Sequence, residues 1–226
     1  MKLSETWRQQ FGRSEPRKII CVGLNYRDHA AEQGADLPAE PLLFAKFANA
    51  LRGPGDPIVI PKEARHVDAE AELVVVIARE GRRVSRDDAL DLVAGYTCAN
   101  DVTERHFQSN DGQWLRAKSF DSFCPLGPEV VSVDEIGDAG DLAIVQRVNG
   151  EALQDSRTSE LIFGIRELVA HASTVFTLEP GDLILTGTPA GVGVHREPPV
   201  SLKPGDEVEV EIERIGVLRN PVVAEE

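Results

Sequence analysis

Two carboxylates one residue apart, Glu70 and Glu72, stand at the head of the apolar run Leu73-Val74-Val75-Val76-Ile77, which reads as a strand over residues 70–78. A strand sends alternate side chains to opposite faces, so both glutamates leave the same face and converge, which is unfavourable unless a cation lies between them. Asp101, in Cys98-Ala99-Asn100-Asp101, follows a second apolar run and is placed to add a third oxygen from a neighbouring strand end. Three hard oxygen donors without a thiolate favour Mg2+ or Mn2+ over Zn2+ and leave coordination positions open. The same spacing fits a solvated edge strand with acidic gatekeepers, and spacing alone leaves both readings open.

At 226 residues and 42% hydrophobic, the chain can bury a full core. The expected organisation is a short N-terminal extension at 1–18 and a single β-rich domain at 19–226. No run approaches the roughly 20 apolar residues of a bilayer span, and residues 1–8 lack the apolar segment of a signal peptide, so a cytoplasmic protein is expected. Cys21, Cys98 and Cys124 are odd in number and widely spaced, which favours reduced, buried thiols over disulfides or a zinc ribbon. A net charge of −14 disfavours nucleic acid and anionic membranes as partners and points to small-molecule chemistry.

The rhythm of short apolar runs between proline and glycine predicts strands at 19–23, 42–46, 58–60, 183–186 and 208–212. Helices are expected at 26–33, ended by Gly34, at 85–92 and over 160–173. Asn149-Gly150 is a hairpin signal. Lys118 falls in a run, residues 114–120, that reads as strand.

His29 and Glu32 are three apart on the first of these helices, so the carboxylate can orient the imidazole as a general base; an ordinary surface pair has the same spacing. Lys118 is either an inward ammonium able to stabilise a developing oxyanion or a snorkelling surface lysine. Arg105 and Gln108 follow Asp101 on a helical turn, where they either grip a substrate carboxylate or stay exposed. The glycine-rich segment 186–193 follows a strand, a place where backbone amides can approach an anion, but it matches neither a P-loop nor a dinucleotide fingerprint. His66, His106, His171 and His195 lack metal-ligand spacing. No Gly-x-Ser-x-Gly elbow supports serine hydrolysis.

Taken in order, five motifs resemble the fumarylacetoacetate hydrolase family over about residues 18–222: Asn25-Tyr26-x-x-His29-x-x-Glu32, Glu70-x-Glu72-Leu73, Asn100-Asp101-x-Thr103-x-Arg105-x-x-Gln108, Lys118-Ser119-Phe120-Asp121 and Thr186-Gly187-Thr188-Pro189-x-Gly191-Val192-Gly193. The resemblance implies a mainly β fold with a few helices, of β-roll and mixed β-sandwich type, assembled as a homodimer. It implies Mg2+ or Mn2+ on Glu70, Glu72 and Asp101, a lid carrying the His29 and Glu32 pair, Lys118 in the pocket, and Arg105, Gln108 and Thr188 on the 2-oxo acid end of a small substrate. Many relatives have Lys-Pro where this chain has Lys46-Phe47, so no role is carried onto Lys46. The activity implied is hydrolysis of a carbon–carbon bond in a 2,4-dioxo acid, an acylpyruvate or fumarylpyruvate, with His29 activating water. Oxaloacetate decarboxylation or tautomerisation and 2-hydroxyhepta-2,4-diene-1,7-dioate isomerisation use the same site. The non-enzymatic alternative is a silent metal-binding module.

Overall fold

The apolar run after Glu72 is a strand buried along its whole length, and it lies inside a seven-stranded sheet. The structure, a computed structural model, describes residues 3–12 and 14–226; Met1, Lys2 and Arg13 of the expected extension lie outside the described residues. In chain order the strands are β1 (Ile19–Gly23), β2 (Leu42–Lys46), β3 (Leu51–Arg52), β4 (Ile58–Ile60), β5 (Val67–Asp68), β6 (Ala71–Ile77), β7 (Val93–Asn100), β8 (Thr103–Glu104), β9 (Cys124–Ser132), β10 (Ala143–Val148), β11 (Glu151–Arg157), β12 (Leu183–Leu185), β13 (Glu207–Ile212) and β14 (Gly216–Ala224). The α-helices are α1 (Leu3–Phe11), α2 (Arg27–Gln33), α3 (Arg105–Asn110), α4 (Leu115–Lys118), α5 (Val133–Ile136) and α6 (Ile165–Val175).

The large sheet runs β2-β1-β12-β6-β7-β9-β3, and a second of five strands runs β11-β10-β13-β14-β4. Strands β10, β13 and β14 pack across β6, β7 and β9, which makes the mixed β-sandwich. Because β6 is covered on both faces, it is apolar at every position from Leu73 onward rather than alternating. Leu73, Val75 and Ile77 share one core with Ile144, Val210, Ile212 and helix α6. Val74 and Val76 enter another with Cys21, Leu126, Leu185 and Trp7. In β13, by contrast, Val208, Val210 and Ile212 are buried and the glutamates between them are not, as the alternating sequence predicts.

Several local expectations hold. Helix α2 ends at Gly34 in the left-handed region, φ 62°, with the Gly34 amide on the carbonyls of Ala30 and Ala31. Asn149 and Gly150, φ 52° and 82°, turn β10 into β11. The three cysteines are free and buried, and burial pushes the Cys98 and Cys124 thiols up to about 12.

Others are corrected. Lys118 is not in a strand; it ends helix α4, whose turn is closed by the Lys118 amide on the Trp114 carbonyl, 3.0 Å, and a run this short carries no decisive period. The helix expected at 85–92 shrinks to a 3-10 turn at Ala89–Leu92, since Asp87 and Asp88 are poor helix formers and Ser85 caps only the Asp88 amide. The helix expected from residue 160 starts at Ile165: a 3-10 turn at Thr158–Glu160 and an antiparallel bridge from Leu161 to Tyr26 come first, and Asn25 accepts the Ile162 and Phe163 amides at 2.8 and 2.9 Å. Ahead of β1, helix α1 docks through buried Trp7, whose indole donates to the Gly181 carbonyl at 3.1 Å. Among the described residues, no helix is long and apolar enough to cross a membrane.

Candidate active site

The register of β6 on β7 brings the three acids together. Glu72 pairs with Ala99 and Ala71 with Asn100, and the ladder continues one bond further, with the Asp101 amide on the Glu70 carbonyl at 2.9 Å. Asp101 thus stands opposite Glu70, on the face that also carries Glu72. Each of the three offers a carboxylate oxygen, all of these lie within 4.8 Å of one another, and all three residues are buried. The Asn100 side chain locks the bend by accepting the Glu70 amide at 3.0 Å.

Three buried cations face this cluster. Lys118 Nζ lies 2.7 Å from both Glu70 and Asp101, and Lys46 Nζ lies 2.6 Å from the other Asp101 oxygen. Arg105 Nη1 is 2.7 Å from Glu70, while its Nε and Nη2 donate to Asp68 at 3.0 and 2.8 Å. Burial alone would raise the Glu70 carboxyl, but Lys118 and Arg105 outweigh it and hold the group at about 2. Burial would lower the Lys118 ammonium, and Asp101 and Glu70 instead raise it.

Glu72 is the exception. Its Oε2 accepts the Gly187 amide at 2.8 Å, and among the described residues no basic side chain pairs with it. Burial, then the neighbouring Asp101 and Glu70 charges, push its carboxyl well up. With all four acids of the cluster (Asp68, Glu70, Glu72, Asp101) ionised against three cations (Lys46, Arg105, Lys118), one negative charge would be in excess, which is why Glu72 resists ionisation without a further cation. A dense, all-oxygen, electrostatically frustrated donor set of this kind fits a divalent cation, which Glu70, Glu72 and Asp101 would hold.

His29 Nδ1 lies 2.8 Å from Glu32 Oε2, and the other Glu32 oxygen accepts the Gly191 amide at 2.9 Å, so the helix carrying the imidazole is tied to the glycine-rich segment. A carboxylate only accepts, so Nδ1 carries the proton and Nε2 is left as the acceptor. The amides of that segment do meet anions, but the anions are the protein's own: Gly187 serves Glu72, Gly191 serves Glu32, and Gly193 and Val194 serve Asp68 at 2.9 and 3.0 Å. Glycine is required at 193, where a Cβ would lie 2.2 Å from the Val200 carbonyl oxygen.

A cavity of about 320 Å³ brings together His29, Glu70, Glu72, Arg105, Gln108, Lys118 and Thr188 from the expected set; Glu32 and Asp101 lie behind its walls. Arg105 and Gln108 bond each other at 2.9 Å, and with Asp68 and Glu70 also on the guanidinium, most of its donors are engaged within the protein. Thr188 donates to the Ala71 carbonyl at 2.9 Å and accepts from Gln154 at 2.8 Å.

Sequence reasoning passed over Asp68, Gln33, Gln154 and Trp114, and gave Lys46 no role. Asp68 had a readable signal, since it precedes Glu70 by the same two-residue step. Trp114 also lines the cavity, set edge-on to Phe44 at 5.2 Å, a packing that Gly23 permits by lacking a Cβ. Lys46 sits 55 residues from its partner, so spacing gave no reason to pair it with Asp101.

Comparison with known proteins places the chain in a family. Residues 18–223 match the family model described as fumarylacetoacetate (FAA) hydrolase C-terminal. The mitochondrial oxaloacetate tautomerases fahd2 of Xenopus laevis and FAHD2A of Bos taurus are each 51% identical over 212 residues, which is 93% of this chain and 66% and 68% of theirs. The chain therefore spans about two thirds of the length of these curated relatives. Among solved structures, a 5-carboxymethyl-2-hydroxymuconate delta-isomerase from Mycobacterium smegmatis superposes with TM-score 0.84 at 44% identity, covering 93% of this chain and 80% of that one. Fumarylpyruvate hydrolase from Pseudomonas aeruginosa, in complex with Mn2+ and pyruvate, gives 0.84 at 32% identity, covering 93% and 91%. This chain belongs to the fumarylacetoacetate hydrolase family.

Proposed function

We propose that this protein is a Mg2+- or Mn2+-dependent enzyme that enolises a small 2-oxo acid, with interconversion of enol- and keto-oxaloacetate as its reaction. The observation that carries the reading is the convergence, on one cavity of about 320 Å³, of the His29 imidazole, a buried ammonium and the carboxylate cluster. The tautomerase names of the relatives at 51% identity support the choice of oxaloacetate. A divalent cation, when bound, supplies positive charge against the negative charge that grows on the 2-oxo acid. His29 Nε2 takes the C3 proton; the C3–H pair becomes the C2–C3 double bond, the carbonyl π pair moves to the C2 oxygen, that oxygen takes up a proton from solvent, and His29 returns its own to solvent, so the net change is isomerisation. No water is consumed. Lys118, already between Glu70 and Asp101, offers its remaining N–H to the developing oxyanion.

Carbon–carbon hydrolysis is the second reading, supported by the His29 and Glu32 pair and by the likeness to fumarylpyruvate hydrolase. Protein reconstituted with Mg2+ or Mn2+ and given enol-oxaloacetate, acetylpyruvate and fumarylpyruvate separates the two. Loss of the enol absorbance should outrun pyruvate release from either acylpyruvate; the reverse order would establish hydrolysis. Lys118→Met keeps the volume and removes the charge. A turnover loss of about 100- to 1,000-fold with KM little changed is expected, whereas a change confined to the melting temperature would make the lysine structural. The homodimer implied by the resemblance finds support at the edge strand β2, around which Leu37, Leu42 and Phe47 are more than half exposed.

A further inference from the structure

The one ring nitrogen of His29 left for proton transfer is held by another side chain of the same helix. Gln33 Nε2 stands 2.6 Å from His29 Nε2. Since Glu32 fixes the proton on Nδ1, the Gln33 amide is the donor in this contact. Residues 29 and 33 are one turn apart on α2, and Gly34 ends the helix immediately afterwards, so Gln33 is an exposed side chain at the last turn with no packing role in the core. Both side chains line the cavity that also holds Glu70, Glu72 and Lys118.

We propose that Gln33 is a positioning residue that keeps His29 out of proton transfer until an oxygen of the bound substrate beyond C3 accepts the Gln33 amide instead. This rests on the enolisation reading above. A 2-oxo acid with such an oxygen, as in the distal carboxylate of oxaloacetate, exchanges one hydrogen bond for another and frees Nε2 at little cost. A 2-oxo acid without it, such as 2-oxobutyrate, must break the Gln33 contact unrepaid, and its enolisation is slowed by the worth of one net hydrogen bond, roughly 2- to 12-fold. The glutamine thereby selects among substrates by what they carry away from the reacting carbon.

The test is Gln33→Met, which keeps the length and removes the donor. On the metal-reconstituted enzyme, hydrogen–deuterium exchange at C3 of 2-oxobutyrate, followed by NMR, should rise roughly 2- to 12-fold relative to the oxaloacetate rate, so that the selectivity narrows. An unchanged ratio overturns the proposal. A second readout needs no turnover. Carbethoxylation of His29 by diethyl pyrocarbonate, followed by peptide mass spectrometry against His171 on α6, should be faster in Gln33→Met than in the wild type. Equal rates overturn the capping of Nε2 whatever the enzyme does with substrate. If carbethoxylation responds but the wild type does not enolise oxaloacetate, the enolisation reading fails and the substrate trigger with it.

Discussion

Alanine in place of Glu72 is expected to abolish divalent-metal binding, measured by calorimetry with Mg2+ or Mn2+, and with it all metal-dependent turnover. Of the four acids in the cluster, Glu72 alone lacks a basic partner among the described residues, so its ionised form is the one left for a bound cation to pair with. Without it, Asp68, Glu70 and Asp101 face Lys46, Arg105 and Lys118 in balance, and the cluster is satisfied from within. The affinity loss should exceed the roughly 10- to 100-fold typical of outer-shell partners, because a ligand itself is removed. The fold should survive, since the substitution relieves a buried, unpaired carboxyl and strands only the Gly187 amide. Asp101 would be a poorer choice, as its loss leaves Lys46 unpaired and Lys118 with Glu70 alone, confounding binding with stability. Near-normal metal affinity in Glu72→Ala would remove Glu72 from the proposed site.

His29→Ala is expected to slow enolisation of oxaloacetate by about 100- to 10,000-fold, the usual worth of one positioned base. Release of CO2 from oxaloacetate needs no proton acceptor for the bond that breaks, so it should suffer less on the same preparation. The same comparison holds for acylpyruvate cleavage, where the base would act on water. Glu32 keeps its bond to the Gly191 amide without the imidazole, and α2 remains tied at Arg27 to the Leu161 carbonyl and at Asp28 to Ser156. A general loosening of the segment is therefore not the expected result. Equal losses in all reactions would assign His29 to closure of the site, and undiminished enolisation would exclude it as the base.

The three carboxylates of the candidate metal site were readable because a ladder preserves parity. Once residues 70–77 and 93–101 are antiparallel neighbours, the two-residue step at Glu70 and Glu72 and the place of Asp101 after its strand are geometry. His29 and Glu32 lie within one helical turn, so local spacing carries that pair too. What spacing does not carry is the set of cations. Lys46 and Lys118 reach Asp101 across 55 and 17 residues, and Arg105 reaches Asp68 across 37, because β5 pairs with β8 and delivers α3 beside it. Helix α6 starts late for a related reason: residues 161–163 are held in an extended bridge to Tyr26 and Asn25, the latter 138 residues from Phe163. Helical periodicity is local, and contacts to a distant segment overrode it.

The extra ladder bond between Asp101 and Glu70 also has a bearing on how such a site can be inherited. One residue inserted into or deleted from β6 or β7 would swing its acids toward the core that holds Leu73 and Val75, so the cluster tolerates no intermediate state between in register and lost. The cavity walls follow another rule. Gln33 ends a helix, Trp114 opens a short one, and Val194 and His195 lie on a single 3-10 turn whose backbone amides Asp68 holds, so each side chain can be exchanged without moving the carboxylates. A lineage built on this scaffold can change its substrates by degrees while its charged centre passes on whole.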